Sequence, residues 1–310
     1  MTKSAGIHHI TGIAGEPRQH VVFYTRVLGL RLVKKTVNFD DPGTWHLYYG
    51  NETGAPGTAL TFFIWDHALA GHAGIGHAVE TAFVVPEGSI GFWSGHLAEK
   101  GVAHDAPAQR FGKTVITLRD PNGLPPALIG EPAAADLPGW SNGDVPAEHA
   151  IRGFHGITLW VADPAPTAAL LADVFGFAPA GQEGERYRML ADAGALGSVV
   201  DLLAMPGEPH GAFGVGTLHH VAFRAASDAD QREMANRLRQ LGFAPTDQIE
   251  RQYFRSVYFR EPGGVIFEIA TDQPGFTLDE PREALGTALK LPPWYESKRA
   301  AIEAKLPALS

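Results

Sequence analysis

The sequence predicts an α+β protein made of four βαβββ modules. Four similar strand-like phrases, GIHHITGIA, GHAVETAFV, GFHGITLWV and TLHHVAFRA, begin at Gly6, Gly76, Gly153 and Thr217. A helix-like segment and three short strand-like segments follow each phrase, and 36 glycines and 23 prolines suit the many turns between them. Such repetition indicates that one supersecondary unit recurs along the chain. A length of 310 residues is enough for two domains.

The fourth copy shows the elements of one module most clearly. After its first strand, the segment DADQREMANRLRQLGF has apolar residues at helical spacing. Asp228 is the predicted N-cap of this helix, and Gly242 is the predicted stop. Three short strands are expected around 246–250, 253–260 and 265–271, and the tight-turn sequence EPGG joins the last two.

The other copies follow the same outline, which divides the chain into segments. The predicted modules cover 6–65, 76–130, 153–205 and 217–272. An N-terminal pair therefore occupies 1–130 and a C-terminal pair 153–275. Between them, 131–152 is rich in proline, glycine and alanine and is expected to be a linker. The tail, 276–310, is predicted to pack on the body through a short helix near 294–305.

Composition excludes several classes of partner. A formal net charge of −9 argues against nucleic-acid binding, which needs a basic patch. Without cysteine, a transition metal can be held only by histidine and carboxylate ligands. The N-terminal sequence MTKSAGIHHI lacks the apolar segment of a signal peptide, and no apolar run approaches the roughly 18 residues of a membrane span. We expect a cytoplasmic protein without membrane association, compatible with a homo-oligomer.

Two histidines and one glutamate occupy matching places in the first and last copies. His9 and His220 occupy the same position in the first strands of copies one and four. Because side chains alternate along a strand, His8 and His219 are expected on the opposite faces. Glu268 lies in the closing strand VIFEIA of the fourth copy. The middle copies carry no histidine at the matching position, which holds Glu80 in copy two and Gly156 in copy three. The position of Glu268 holds Ala127 in copy two and Asp201 in copy three. The three donors can therefore meet only if module one shares a sheet with module four, and module two with module three.

Two histidines and one carboxylate with open coordination positions form the facial triad of non-haem Fe(II) oxygenases. A simpler interpretation exists for each residue, because a lone strand histidine is more often a core residue than a ligand. Glu268 is different, since a carboxylate between Phe267 and Ile269 is costly to bury unless it is paired or metal-bound. A buried ion pair with an arginine is its alternative role.

Three motifs carry a resemblance to a known family. HHITG at 8–12, LHH at 218–220 and RSVYFREPGGVIFEIATD at 255–272 resemble the vicinal oxygen chelate (glyoxalase/extradiol dioxygenase) superfamily, and within it the ring-cleaving dioxygenases that act on hydroquinones. The resemblance covers about residues 5–275. It implies the vicinal oxygen chelate fold and an extradiol-type oxidoreductase that incorporates both atoms of O2 into a small aromatic diol. The implied cofactor is Fe(II), with Mn(II) or another divalent metal as alternative, on His9, His220 and Glu268.

The resemblance also implies roles for residues around the metal. Tyr258 would hydrogen-bond the bound phenolate oxygen, and Arg251 would stabilise negative charge. His219 or His8 would act as acid or base. Thr11, together with Tyr258 and Arg251, would contact the substrate. By repeat alignment Tyr48 corresponds to Tyr258, and Tyr48 and His46 are candidates for the pocket wall.

Two other functions compete with the dioxygenase. A lyase, isomerase or thiol transferase on the same scaffold would use another divalent metal, commonly with four protein ligands. The fourth position falls in ALTFFIW, where 60–65 contain no acid or histidine, so three ligands favour oxygen chemistry. A protein that only binds a small aromatic molecule would not need the buried Glu268.

Overall fold

Two curved eight-stranded sheets form the protein in a computed structural model that describes residues 4–141, 143–191 and 196–309. Sheet A combines module one with module four, and sheet B combines module two with module three. This pairing and the α+β vicinal oxygen chelate fold confirm the predicted fold class. The division at 131–152 into consecutive pairs of modules stays a prediction, and its outer limits at 1 and 310 lie outside the described residues.

Sheet A has the strand order β14-β15-β16-β13-β1-β4-β3-β2. Its centre is the antiparallel pair of first strands, β1 and β13, and each closing strand runs parallel to the first strand of its own module. The elements of modules one and four are β1 (Ile7–Ala14), α1 (Pro17–Val22) continued by a π-helical turn (Phe23–Val27), β2 (Arg31–Val37), β3 (Trp45–Gly50), β4 (Ala59–Ile64), β13 (Thr217–Ala225), α4 (Asp228–Gln240), β14 (Ile249–Glu250), β15 (Arg255–Arg260) and β16 (Ile266–Thr271).

Sheet B repeats this arrangement with the order β10-β11-β12-β9-β5-β8-β7-β6, and β5 pairs antiparallel with β9 at its centre. The elements of modules two and three are β5 (His77–Pro86), a 3-10 turn (Glu87–Ser89), α2 (Ile90–Glu99), β6 (Ala108–Arg110), β7 (Lys113–Thr117), β8 (Ala127–Glu131), β9 (Gly153–Val161), α3 (Pro164–Phe175), β10 (Ala178–Glu183), β11 (Arg186–Leu190) and β12 (Val199–Ala204).

A β-bulge interrupts each central strand of sheet A, and this corrects the prediction from strict alternation. Ile7 pairs with Phe223 but His9 with Ala222, so His8 is an extra residue in β1. In the same way His219 is the extra residue in β13. A bulge re-aims side chains locally, and here it brings His8 and His219 beside His9 and His220 instead of on the opposite face.

Helices cover the outer face of each sheet, and the concave faces carry the polar residues. Helix α4 turns Met234 and Leu238 into the core, where they pack with the outer-face residues Val221 and Phe223 of β13. Its N-cap is Ser227, whose side chain accepts from the Asp230 backbone N–H, and not the predicted Asp228. Serine in extended conformation satisfies a free helical N–H, so the helix begins one residue after it.

The tail after β16 lies against module one. Phe276, Leu285 and Ile302 are buried, and the ammonium group of the fully buried Lys34 binds the carboxylates of Asp279 and Glu280. A 3-10 turn (Glu296–Lys298) leads into the short helix α5 (Arg299–Glu303).

The longest helix, α4, has 13 residues, and the described part of the chain contains no helix with the length and apolarity of a membrane span.

Candidate metal centre

Three buried side chains converge on the concave face of sheet A. The Oε2 atom of Glu268 lies 3.2 Å from Nε2 of His9 and 3.0 Å from Nε2 of His220. His9, His220 and Glu268 are 3%, 4% and 0% exposed. Their potential ligand atoms all lie within 4.8 Å of one another, and they form the one such group of three found in the ranges that the structure describes.

Strand register explains why these residues meet although they are far apart in sequence. His9 on β1 pairs with Ala222 on β13, and Glu268 on β16 also pairs with Ala222. His220 lies two residues before Ala222 and therefore on the same face of β13. Three neighbouring strands thus present one donor each around a small alanine, which leaves space between them.

The donor set fits a divalent metal ion. Among the residues that the structure describes, Nε2 of His220 and Oε2 of Glu268 have no hydrogen-bond partner although both atoms are buried and only 3.0 Å separates them. Unpaired buried polar atoms are costly, and a cation bound between them removes this cost. Burial alone would raise the pKa of Glu268, but His9 and His220 hold that pKa well below its ordinary value. The carboxylate is therefore ionised, as a metal ligand must be.

Each candidate ligand histidine is held by its bulged neighbour. Nδ1 of His8 lies 2.9 Å from Nδ1 of His9, and Nδ1 of His219 lies 2.8 Å from Nδ1 of His220. If the candidate ligands donate in these bonds, their Nε2 lone pairs face the centre. Burial lowers the pKa of His8 well below its ordinary value and that of His219 to about 3. Both predicted acid/base residues therefore lie behind the ligands, and neither is in the wall of the cleft described next.

A narrow cleft reaches the two histidine donors from solvent. Its free volume is about 30 Å³, far below the roughly 150 Å³ of a cavity that binds benzene, so an aromatic ring can enter only if the cleft widens. The wall combines the two histidine donors with aromatic and polar residues of modules one and four. They are His9, Asn38, Phe39, Asp40, His46, Tyr48, Phe63, His220, Arg251, Phe254 and Tyr258.

Arg251 and Tyr258 lie together in this wall. Nη2 of Arg251 is 3.0 Å from Oδ2 of Asp40, and the guanidinium carbon lies 5.5 Å from the centre of the Tyr258 ring. Burial and, after it, Glu268 raise the pKa of Tyr258, so its hydroxyl stays protonated. Burial alone would lower the pKa of Arg251, but Tyr258 and Asp40 raise it. The wall therefore offers one permanent cation and one phenolic donor.

Thr61 occupies the position in module one that Glu268 has in module four. Its hydroxyl lies 2.9 Å from the Thr11 hydroxyl and 2.9 Å from Nε2 of His46, whose Nδ1 lies 2.9 Å from the Tyr48 hydroxyl. Thr11 is fully buried in this chain of hydrogen bonds and is absent from the cleft wall. The fourth ligand position is thus filled by a hydroxyl that already has two partners.

Sheet B carries different groups at the equivalent positions. Register places Glu80 where sheet A has His9, and Asp201 where it has Glu268. Arg188 binds Asp201 through two hydrogen bonds, and Arg110 binds Glu80 in the same way. At Gly156, the equivalent of His220, a Cβ atom would lie 2.3 Å from the Val199 carbonyl oxygen. Sheet B therefore has neither the histidines nor the space for this centre.

Sequence reasoning missed several residues of the site. Ser256 donates a hydrogen bond of 2.5 Å to Oε1 of Glu268, and its place two residues before Tyr258 on β15 could have revealed it. Phe254 packs against both His8 and His9. Asn38, Phe39 and Asp40 come from the loop between β2 and β3, which has no periodic signal.

Comparison with known proteins identifies the family. The model of the Glyoxalase/Bleomycin resistance protein/Dioxygenase superfamily matches residues 6–125 and 153–269. The chain belongs to this superfamily. Both matched stretches contain donors of the centre, with His9 in the first and His220 and Glu268 in the second. The predicted family resemblance is thereby confirmed.

Within the superfamily, similar curated proteins span nearly the whole chain. A Bacillus subtilis (strain 168) protein named "Putative ring-cleaving dioxygenase MhqO" is 45% identical over 303 residues, covering 97% of this chain and 95% of that protein. The chlorohydroquinone/hydroquinone 1,2-dioxygenase of Sphingobium indicum is 33% identical over 297 residues, covering 94% and 92%.

Solved structures of other proteins have the same fold. A crystal structure from Bacillus subtilis, described as a putative dioxygenase, superposes with a TM-score of 0.94 at 43% identity and covers 100% of this chain and 99% of that chain. Glyoxalase I from Zea mays gives a TM-score of 0.63 at 15% identity, covering 86% and 92%. The second likeness concerns the fold alone.

Proposed function

We propose that this protein is an Fe(II)-dependent extradiol-type dioxygenase that cleaves the ring of a hydroquinone-like or catechol-like aromatic diol. The observation that carries the proposal is the centre formed by His9, His220 and Glu268, with two buried unpaired donor atoms beside a cleft. Two histidines and one carboxylate are the facial set of non-haem iron oxygenases. The names of the similar proteins support ring cleavage and a hydroquinone substrate.

The number of protein ligands favours iron and dioxygen over a four-ligand lyase centre. The fourth position holds Thr61, whose hydroxyl is already engaged by Thr11 and His46. Three protein ligands leave coordination positions open, and bound Fe(II) would supply a site that activates a phenolate and dioxygen side by side. Manganese(II) or another divalent metal fits the same donors and is the alternative cofactor.

Tyr258 and Arg251 are the proposed substrate-binding residues. Because the pKa of Tyr258 is raised, its hydroxyl can donate a hydrogen bond to a phenolate oxygen at the centre. The positive charge of Arg251 beside it stabilises a developing negative charge. Arg251 also binds Asp40 at 3.0 Å, and Asp40 is largely exposed, so opening of this ion pair is the proposed route by which the narrow cleft widens.

The proposed roles of the two bulged histidines and Thr11 differ. His8 is almost fully buried and would orient His9 for metal binding. His219 is partly exposed and has Nδ1 occupied by His220, which leaves Nε2 free to accept or return a proton as acid/base. Thr11 would act on the substrate indirectly, through its bond to Thr61 at the unused ligand position.

An oxygen-uptake assay tests the proposal. Protein loaded with Fe(II) without air should consume one O2 per ring opened with a hydroquinone or catechol, and 18O2 should place both labelled atoms in the product. Iron-loaded protein that binds these diols but consumes no oxygen would support a binding protein instead. Turnover of a methylglyoxal–thiol adduct with Ni(II), Zn(II) or Mn(II) would support a glyoxalase-type enzyme.

A further inference from the structure

The concave face of sheet B holds a second and larger cleft. Its free volume is about 500 Å³, within the range of roughly 300–1,000 Å³ that small-molecule sites occupy. The cleft beside the metal donors has only about 30 Å³. The half of the protein without a metal centre therefore has the space for a ring-sized molecule that the other half lacks.

The walls of this second cleft are mainly apolar and carry balanced charges. Val84, Leu190 and Val199 form part of the surface. Lys113 is paired with Glu131, and Arg188 with Asp201. Because each cation at the cleft has its own carboxylate, the site gives no net attraction to an ionised ligand, and apolar walls favour an uncharged one.

One phenylalanine, Phe111, lines the cleft. Phe111 has a backbone φ of 48°, which non-glycine residues rarely adopt. Its ring lies 3.8 Å from the guanidinium carbon of Arg188, so stacking holds the side chain in place despite the unfavourable backbone. A ring held in this way offers its surroundings a planar contact that suits another aromatic ring.

Within the described residues, His155 is a polar side chain of this cleft that makes no hydrogen bond. It is 8% exposed and lines the cleft, and it is the bulged residue of β9, as His219 is of β13. His219 bonds to the ring of His220, but the next residue after His155 is Gly156, which has no ring to offer. The nearest acid, Oε1 of Glu131, is 3.6 Å from Nε2 of His155, beyond a hydrogen bond.

The buried histidine can both donate and accept a hydrogen bond. Burial and, after it, Arg188 lower the pKa of His155 to about 3. The ring is therefore neutral at physiological pH, with one N–H donor and one nitrogen acceptor. A hydroxyl group is the complementary partner, because it also donates and accepts.

We propose that the cleft of sheet B is a second binding site, which takes an uncharged, hydroxylated single-ring aromatic molecule with its hydroxyl on His155 and its ring beside Phe111. The site is separate from the metal centre and does not depend on the proposed function. A cavity of about 150 Å³ lined by apolar side chains is enough to bind benzene, so the available space is sufficient.

Phenol and cyclohexanol, followed by methyl NMR of the full-length protein without added metal, test this proposal. Phenol should shift the methyl signals of Val84, Leu190 and Val199, and the shifts should reach a plateau as its concentration rises. Cyclohexanol should bind more weakly. Replacing His155 by leucine should weaken phenol binding roughly tenfold, since a buried hydroxyl then lacks its partner. Benzoate, which is ionised, should bind more weakly than phenol.

Two further variants decide between outcomes. Ala180 lines the cleft from an exposed position of β10, so Ala180→Trp should fill the cleft without disturbing the core and abolish the shifts. His67→Leu, at a histidine whose side chain is 95% exposed, is the matched control and should bind phenol normally. Unchanged phenol affinity in both Ala180→Trp and His155→Leu, or equal affinity for phenol and cyclohexanol, would overturn the proposal.

Discussion

Sheets A and B share one topology and one pair of bulges but differ in the charged groups at their centres. In sheet A, two histidines and Glu268 surround a place for a metal ion. In sheet B, Nη1 of Arg186 lies 3.2 Å from Asp201 and 3.9 Å from Glu80, the equivalents of Glu268 and His9. A guanidinium group thus lies at the place in sheet B where the proposed metal ion would bind in sheet A. The backbone sets where these side chains meet. The residue types decide whether an arginine of the protein fills that place or a metal ion from solution could bind there.

The largest contrast between the sheets should come from neutralising the two equivalent carboxylates. Glu268→Gln removes the anionic ligand, so we expect loss of iron and at least about a 1,000-fold loss of activity, because the metal supplies several kcal/mol of transition-state stabilisation. Asp201→Asn is the matched variant and should retain iron. Metal analysis of both proteins after anaerobic loading checks this, and equal iron contents would contradict the assignment of the centre.

The same two variants should differ in the opposite sense in stability. Asp201→Asn leaves Arg188 and Arg186 without their buried counter-charge, and breaking a buried ion pair typically costs about 3 kcal/mol or more. Glu268→Gln in metal-free protein leaves two histidines, of which His220 is neutral because burial lowers its pKa, and should cost less. Urea unfolding of the metal-free proteins measures both free energies. If Glu268→Gln is the more destabilising change, the arginines of sheet B do not depend on Asp201 as their buried counter-charge.

A hydroxyl deletion separates substrate binding from metal binding. Tyr258→Phe should retain iron but lower kcat about 100-fold, the lower end of what a positioned proton donor contributes. Thr117 on β7 is the sheet B equivalent of Tyr48, which is the module-one counterpart of Tyr258, so Thr117→Val should leave kcat unchanged. Steady-state kinetics with a saturating diol test the pair, and a Tyr258→Phe protein with normal kcat would exclude a role for this hydroxyl.

The smallest expected effect concerns acid sensitivity at His155. Its folded-state pKa is about 3 against an ordinary value of 6.5. Between these values the unfolded chain binds a proton that the folded chain does not, so stability is complete above about pH 6.5 and falls as the pH is lowered. His155→Leu should remove about 2 kcal/mol of the stability lost between pH 7 and pH 5. Unfolding curves at both pH values, with His67→Leu as control, measure it. An unchanged pH slope would count against a neutral buried imidazole.

The sequence predicted the module pairing because histidine occupies the ligand position only in the first and last copies, so only one pairing unites these two histidines with Glu268. It did not predict the bulges, since a period of two assigns His8 and His219 to the wrong face. The sequence shows two arginines at alternate positions, Arg186 and Arg188, and an acid further along the chain, Asp201. Their ion pairs could not be predicted, because they depend on the register between two strands. The loop at 38–40 has no periodicity, and its place at the cleft depends on tertiary packing.

Anomalous X-ray diffraction at the iron absorption edge tests the central claim most directly. Crystals loaded with Fe(II) in the absence of air should show one anomalous peak per chain, bonded to Nε2 of His9, Nε2 of His220 and the carboxylate of Glu268. The concave face of sheet B should show none. A peak between Glu80 and Asp201, or no peak in sheet A at full iron occupancy of the protein, would contradict the account.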